Sequence, residues 1–220
     1  MTSTTSTISP PRKPIAIIDY GVGNIQNLIN AFERLEIPAV LTADHDTILN
    51  AELSILPGVG AFKDAIDKLR DTGIDRVIQQ RVQEGRPLLG ICLGMQLMFE
   101  ASEEDGDWEG LGLLKGRFVK FDENMGLKVP HMGWNRLVKE RQDPVADGLP
   151  EDAYAYFVHS YYLAGGDERD IVLSSPYGVK VPGLVRRGSI VGMQFHPEKS
   201  GAVGEFLIRQ VLAVLMGGTQ

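Results

Sequence analysis

Cys92 is the only cysteine in the chain and stands in Gly90-Ile91-Cys92-Leu93-Gly94, between the apolar run Pro87–Ile91 and the stretch Met95–Glu100, which reads as helical. Glycines at both ends of such a pentapeptide let a strand turn sharply into a helix, so the middle residue projects from the sheet edge as a nucleophile. The next N–H then helps to bind an oxyanion, and a following helix N-terminus favours the thiolate. A cysteine between glycines is also a common buried hydrophobe, so the string needs a base beside it. His196 offers one, in Gln194-Phe195-His196-Pro197-Glu198 after the strand-like run Ile190–Gln194. In an extended segment positions i and i+2 share a side, which would let Glu198 accept a hydrogen bond from the imidazole and fix its tautomer and tilt. His-Pro-Glu alone also fits a surface turn. An elbow thiol together with an oriented histidine points to acyl transfer by a Cys-His-Glu triad.

Three further groups of residues invite chemistry. Pro57-Gly58-Val59-Gly60 follows the strand candidate Leu53–Leu56, and its glycines allow backbone N–H groups to approach a developing negative charge. A tight turn before a helix explains those glycines equally well. Tyr20-Gly21-Val22-Gly23-Asn24 also sits between strand and helix, but Gln26 holds the third glycine's place in a dinucleotide fingerprint, so a loop or a protein contact is the better reading. His45, His131 and His159 have no metal-ligand spacing with one another or with Cys92, and no metal is expected.

The elements that must position these residues follow from hydrophobic periodicity. Ile15–Ile18, Ala39–Leu41, Leu53–Leu56 and Pro87–Ile91 read as strands alternating with helices, the signature of a mostly parallel sheet. Ile25, Leu28, Ile29, Phe32 and Leu35 recur at helical spacing with Asn24 as cap. Ala61, Phe62, Ala65, Ile66 and Leu69 form a second helical face, and Ile74, Val77, Ile78 and Val82 a third. After Glu100, short runs such as Arg117–Phe121, Ala153–Val158 and Ile171–Ser174 predict antiparallel or mixed strands. Val203, Phe206, Leu207, Val211, Val214 and Leu215 then predict a closing helix. The expected fold is α/β, a mostly parallel central sheet flanked by helices with added strands in the second half.

Composition limits the function classes. With 220 residues and 43% hydrophobic content, one domain over residues 15–220 is the default. Residues 1–14, rich in Ser, Thr and Pro, read as a disordered tail; a transit peptide is the other reading, but Arg12 is the segment's only arginine. A formal charge of −7 argues against nonspecific nucleic-acid binding. No apolar run reaches the roughly 20 residues of a membrane span, and a single cysteine allows no internal disulfide, so a soluble, cytoplasmic protein is expected.

The triad strings resemble those of class I, triad-type glutamine amidotransferases. Ile17–Asn24, Leu56–Phe62, Gly90–Gln96, Val129–Asn135, Phe157–Tyr162 and Gln194–Gly201 are similar to the branch that forms the glutaminase subunits of imidazole glycerol phosphate synthases, and the likeness runs from about Ile15 to the C-terminus. The resemblance implies glutamine as substrate and no cofactor. It implies Cys92, His196 and Glu198 as the catalytic residues. Gly58, Val59, Gly60 and Leu93 would surround the oxyanion, and Gln96, His159, Ser160 and Tyr161 would hold the amino-acid end of glutamine. It also implies a (β/α)₈-barrel cyclase partner in a heterodimer, met by Asn24, Trp134 and Lys199, and a Gly58–Val59 peptide that must turn before an N–H faces the oxyanion. Glutaminases of pyridoxal phosphate, anthranilate or guanylate synthesis, a stand-alone γ-glutamyl hydrolase or cysteine peptidase, and a noncatalytic docking subunit are the alternatives.

Overall fold

The computed structural model describes residues 13–21, 25–122, 124 and 126–217. The expected tail up to residue 12 and the expected cap and contact residue Asn24 lie outside the described residues. Ile15–Ile18 (β1) is buried along its whole length, as a strand covered on both faces must be. It pairs in parallel with Ala39–Thr42 (β2) and Ser54–Leu56 (β3), and β3 pairs in parallel with Leu88–Ile91 (β4). Ile190–Met193 (β14) adds a fifth parallel strand beside β4, Gly192 facing Gly90 and Met193 facing Ile91. That register carries the segment before His196 to the strand that ends at Cys92, although about 100 residues separate them.

Val179–Arg187 (β13), Ile171–Tyr177 (β12) and Val138–Lys139 (β9) continue the same sheet in antiparallel fashion, giving the order β2-β1-β3-β4-β14-β13-β12-β9. The predicted change from parallel to antiparallel strands in the second half is therefore present. Two smaller sheets lie beside this one. His131–Arg136 (β8) pairs with Tyr154–His159 (β10), while Phe99–Ser102 (β5), Trp108–Glu109 (β6), Leu114–Lys120 (β7) and Tyr161–Ala164 (β11) make a four-stranded sheet.

Helices cover both faces of the main sheet. Gln26–Arg34 (α1) and Gly201–Met216 (α6) contribute Leu28, Phe32, Leu207 and Val211 to one core, which also takes in Ala155 and Phe157 of β10. His45–Asn50 (α2), Phe62–Asp71 (α3), Ile74–Gln83 (α4) and Leu93–Leu97 (α5) contribute Ile48, Phe62, Leu69, Ile78 and Met95 to the other. Each large apolar side chain buried this way stabilises the fold by about 1.5–3 kcal/mol. Two expectations need correction. The helix after Cys92 is Leu93–Leu97, not Met95–Glu100, because Phe99 and Glu100 already belong to β5. The segment around Trp134, absent from the expected strands, is largely strand β8, since its backbone pairs with β10 from His131 to Arg136.

Candidate active site

Cys92 links β4 to α5 with φ 54° and ψ −114°, a conformation that costs a residue with a Cβ about 1–3 kcal/mol. The surroundings enforce it. Its N–H donates to the Met193 carbonyl at 2.7 Å, and its carbonyl accepts from the Gln96 N–H at 3.2 Å. The flanking glycines are required sterically: a Cβ at Gly94 would lie 1.8 Å from the Leu56 carbonyl oxygen, and one at Gly90 would lie 2.8 Å from the Gly94 oxygen. The strand thus turns into the helix at close quarters and leaves the thiol side chain at the parallel strands' C-terminal ends. With only five residues, α5 adds little dipole beyond the local N–H groups.

His196 reaches the same place. Its N–H donates to the Tyr156 carbonyl at 2.9 Å, and its carbonyl accepts from the Ser200 hydroxyl at 2.6 Å and from the Lys199 N–H at 3.0 Å. The Ser200 oxygen in turn accepts the Tyr156 N–H at 2.9 Å, tying the histidine to β10. Glu198 Oε1 lies 2.7 Å from His196 Nδ1. An ionised carboxylate can only accept, so Nδ1 carries the proton of that bond and Nε2 is left for proton transfer. The contact was expected, but its local structure was not: Pro197–Lys199 is a 3₁₀ turn rather than an extended segment, so Glu198 folds back onto the ring. Burial opposes charging the ring, yet hydrogen bonds and charge interactions with Cys92 and Glu198 outweigh it and push the His196 pKa up to about 10.

A cavity of about 310 Å³ opens on these groups, lined by Cys92, His196, Leu93, Gln96, Val59, Gly60, Glu104, Pro130 and Val158–Tyr161. Of the expected site residues, Cys92, His196, Val59, Gly60, Leu93, Gln96, His159, Ser160 and Tyr161 line this cavity, while Glu198 and Gly58 adjoin it through His196 and Leu93, with two qualifications. Gln96 donates its side-chain amide to Gln194 Oε1 at 3.1 Å, and Gln194 Nε2 lies 3.9 Å from Cys92 Sγ, so Gln96 is braced from behind. The Leu93 N–H donates to the Gly58 carbonyl at 3.3 Å, so the Pro57–Gly60 loop turns an acceptor, not a donor, toward the expected oxyanion position.

His131 and His159, which sequence spacing left unrelated, meet at 3.0 Å. His159 Nδ1 donates to the Tyr161 carbonyl at 2.8 Å, which leaves its Nε2 to accept from His131 Nδ1. Burial holds both rings neutral, with pKa values down to about 4 for His131 and about 3 for His159. The pair thus braces the Ser160–Tyr161 wall of the cavity. Glu104 was not foreseen. It is half-buried, burial raises its pKa, and its Oε2 accepts the Phe62 N–H at 2.6 Å while the side chain lines the cavity. In the sequence it sits in Glu103-Glu104-Asp105, indistinguishable from a solvated acidic run.

Beside the cavity, β8 presents Met132 and Trp134 to solvent at 54% and 55% exposure, so Trp134 is not a core residue. Trp134 meets Tyr156 edge to face at 6.2 Å, and Lys199 Nζ lies 5.8 Å from the centre of the same tyrosine ring. This patch adjoins the turn that carries Glu198.

The family model for "Glutamine amidotransferase class-I" matches residues 16–213. The chain is 49% identical over 207 residues to the imidazole glycerol phosphate synthase subunit HisH of Geobacillus thermodenitrificans, covering 92% of this chain and 97% of that one. It is likewise 49% identical over 200 residues to the subunit of that name from Bacillus subtilis, covering 89% and 94%. Among solved structures, a glutamine amidotransferase superposes with a TM-score of 0.72 at 21% identity, covering 91% of this chain and 98% of that one. A chain of PurLQS from Thermotoga maritima superposes with a TM-score of 0.71 at 21% identity, covering 92% and 99%. The two structural likenesses bear on the fold alone.

Proposed function

The chain belongs to the class I glutamine amidotransferase family, and on that premise we propose that it is the glutaminase subunit of imidazole glycerol phosphate synthase, an enzyme of histidine biosynthesis. The observation that carries the chemistry is the opening of Cys92, at its forced positive φ, and the Glu198-bound His196 onto one cavity. The Cys92 thiolate attacks the side-chain carbonyl carbon of glutamine, and the carbonyl π electrons move onto oxygen. His196 gives its Nε2 proton to the amide nitrogen as the tetrahedral species collapses, so ammonia leaves and a thioester remains. Water then gives a proton to His196, attacks the thioester and releases glutamate and the thiolate. The tetrahedral oxyanion is held by the Leu93 N–H and by an N–H of the Gly58–Gly60 loop once the Gly58 carbonyl has turned away. Gln96, Glu104 and the His159–Tyr161 wall hold the amino-acid end; the Glu104 carboxylate suits the ammonium group.

Ammonia passes to a cyclase subunit, a (β/α)₈ barrel in this reading, which forms imidazole glycerol phosphate and an aminoimidazole carboxamide ribotide. Trp134 and Lys199, with Asn24, form the docking face, because an exposed aromatic beside the reacting centre is the kind of anchor that dominates such interfaces. No described helix is long and apolar enough to cross a membrane, and a cytoplasmic location fits this pathway. Residues 15–220 act as one domain in this reading, with residues 1–14 as a tail outside it.

The test is stoichiometry. The chain mixed with its cognate cyclase, the ribotide substrate and glutamine should form glutamate and imidazole glycerol phosphate one to one. Trp134→Ala should yield glutamate in excess or weaken the complex, while added ammonium salts still support the cyclase. No glutamine-dependent product from the wild-type pair would remove the pathway assignment, and tight one-to-one coupling in Trp134→Ala would remove the docking face.

A further inference from the structure

Tyr20 lies two residues beyond β1, and its side chain is buried. Its hydroxyl donates to the Pro57 carbonyl at 2.8 Å, across 37 residues of sequence. Burial, and after it the charge of Cys92, raise the phenol pKa well above its ordinary value, so the hydroxyl stays a donor at any working pH. The next residue of the loop is tied down as well, since Lys68 of α3 donates to the Gly21 carbonyl at 2.7 Å.

Gly58, the following residue of the Pro57–Gly60 loop, is boxed in. A Cβ there would lie 2.8 Å from the Tyr20 hydroxyl oxygen, 3.0 Å from the Leu93 Cβ and 3.0 Å from the Gly94 nitrogen. With the Pro57 carbonyl held, the Pro57–Gly58 peptide plane is fixed, and with the Gly58 Cα boxed, the residue cannot translate. The Gly58 carbonyl can then leave the Leu93 N–H only by rotation of the Gly58–Val59 peptide in place.

We infer that Tyr20 is a positioning residue for the oxyanion hole: its hydroxyl pins the Pro57 carbonyl, so that the loop exchanges a carbonyl for an N–H by turning one peptide about a fixed pivot. The inference rests on the glutaminase reading above. Without the hydroxyl a buried carbonyl loses its partner, and the turned N–H no longer arrives where the oxyanion develops. Donors of this kind act on the transition state, so the loss falls on kcat rather than on glutamine binding.

The experiment compares wild type and Tyr20→Phe, each in complex with the cyclase and its ribotide substrate. It measures kcat and KM for glutamine hydrolysis and the rate of Cys92 alkylation by iodoacetamide, a displacement that needs no oxyanion hole. Tyr20→Phe should lower kcat on the order of 10- to 100-fold, leave KM within about threefold and leave alkylation within about twofold. Incorporation of 3-fluorotyrosine at position 20, which keeps the hydroxyl, should restore kcat. A kcat within about twofold of wild type, or a fall matched by alkylation or by a rise in KM, overturns the assignment. A wild-type complex that turns over no glutamine overturns the glutaminase reading itself, whereas an active wild type with an equally active Tyr20→Phe overturns the Tyr20 assignment alone.

Discussion

Gly94→Ala tests the elbow at its tightest point. The added Cβ would meet the Leu56 carbonyl oxygen at 1.8 Å, whereas carbon and oxygen in weak hydrogen bonds usually lie at about 3.3 Å or more. One of the two backbones must therefore move by about 1.5 Å at the end of β3 or at the head of α5. Both are main chain, and both are held: β3 lies between β1 and β4, and α5 is packed under Gly192, where a Cβ would already lie 2.7 Å from Met95. Overpacking of this kind costs about 1–3 kcal/mol of stability. A shift of about 1 Å in the reacting geometry costs on the order of 100-fold in rate. Gly94→Ala in complex with the cyclase should thus lose glutamine turnover on the order of 100-fold, with a lowered melting temperature, while ammonium-supported synthesis continues. Turnover within about threefold of wild type in the folded variant would refute the claim that the Gly94–Leu56 contact sets the nucleophile's position.

Two further substitutions probe the pocket and the base. Glu104→Gln keeps an oxygen for the Phe62 N–H but removes the charge from the cavity, so KM for glutamine should rise about tenfold with kcat little changed; an unchanged KM would withdraw Glu104 from the substrate's ammonium group. The His196 pKa is raised from 6.5 to about 10 in the folded chain, so the protonated ring contributes stability that is fully present below pH 6.5 and lost as pH rises through about 10. His196→Asn should therefore be more destabilising near pH 6.5 than above pH 10 in urea titrations, and equal destabilisation at both would contradict the raised His196 pKa.

What the sequence disclosed follows burial. Strands β1, β3 and β4 were legible because a strand covered on both faces is a continuous apolar run, as β-branched-rich Ile15–Ile18 is. Strand β8 was not, because it turns Met132 and Trp134 outward and buries a histidine, inverting the pattern that marks a strand. Helix α4 was found from its apolar face, yet Arg81 on that helix is wholly buried. Its guanidinium donates to the nearby Pro87 carbonyl and to the carbonyls of Ile48, Leu49 and Glu52, partners from a distant segment that no helical spacing announces. The meeting of Cys92, His196 and Glu198 was legible because a lone cysteine between two glycines and a His-Pro-Glu string are rare local patterns, each after an apolar run. Glu104 and the His131–His159 contact were not, since each becomes meaningful only when β5, β8 and β10 are brought to one cavity. The loop's conformation lay beyond sequence too: Pro57-Gly58-Val59-Gly60 permits either orientation of its middle peptide, and the Leu93–Gly58 hydrogen bond selects one.

Cys92→Ala, assayed in complex with the cyclase, tests the triad most directly. Glutamine hydrolysis and glutamine-dependent imidazole glycerol phosphate synthesis should both fall by at least on the order of 10⁴-fold, because no other residue can form the thioester. Ammonium salts should sustain synthesis at the wild-type rate, since the cyclase and its docking are untouched. A folded Cys92→Ala complex that still converts glutamine to glutamate near the wild-type rate would contradict the assignment of Cys92, His196 and Glu198 as the machinery of this reaction.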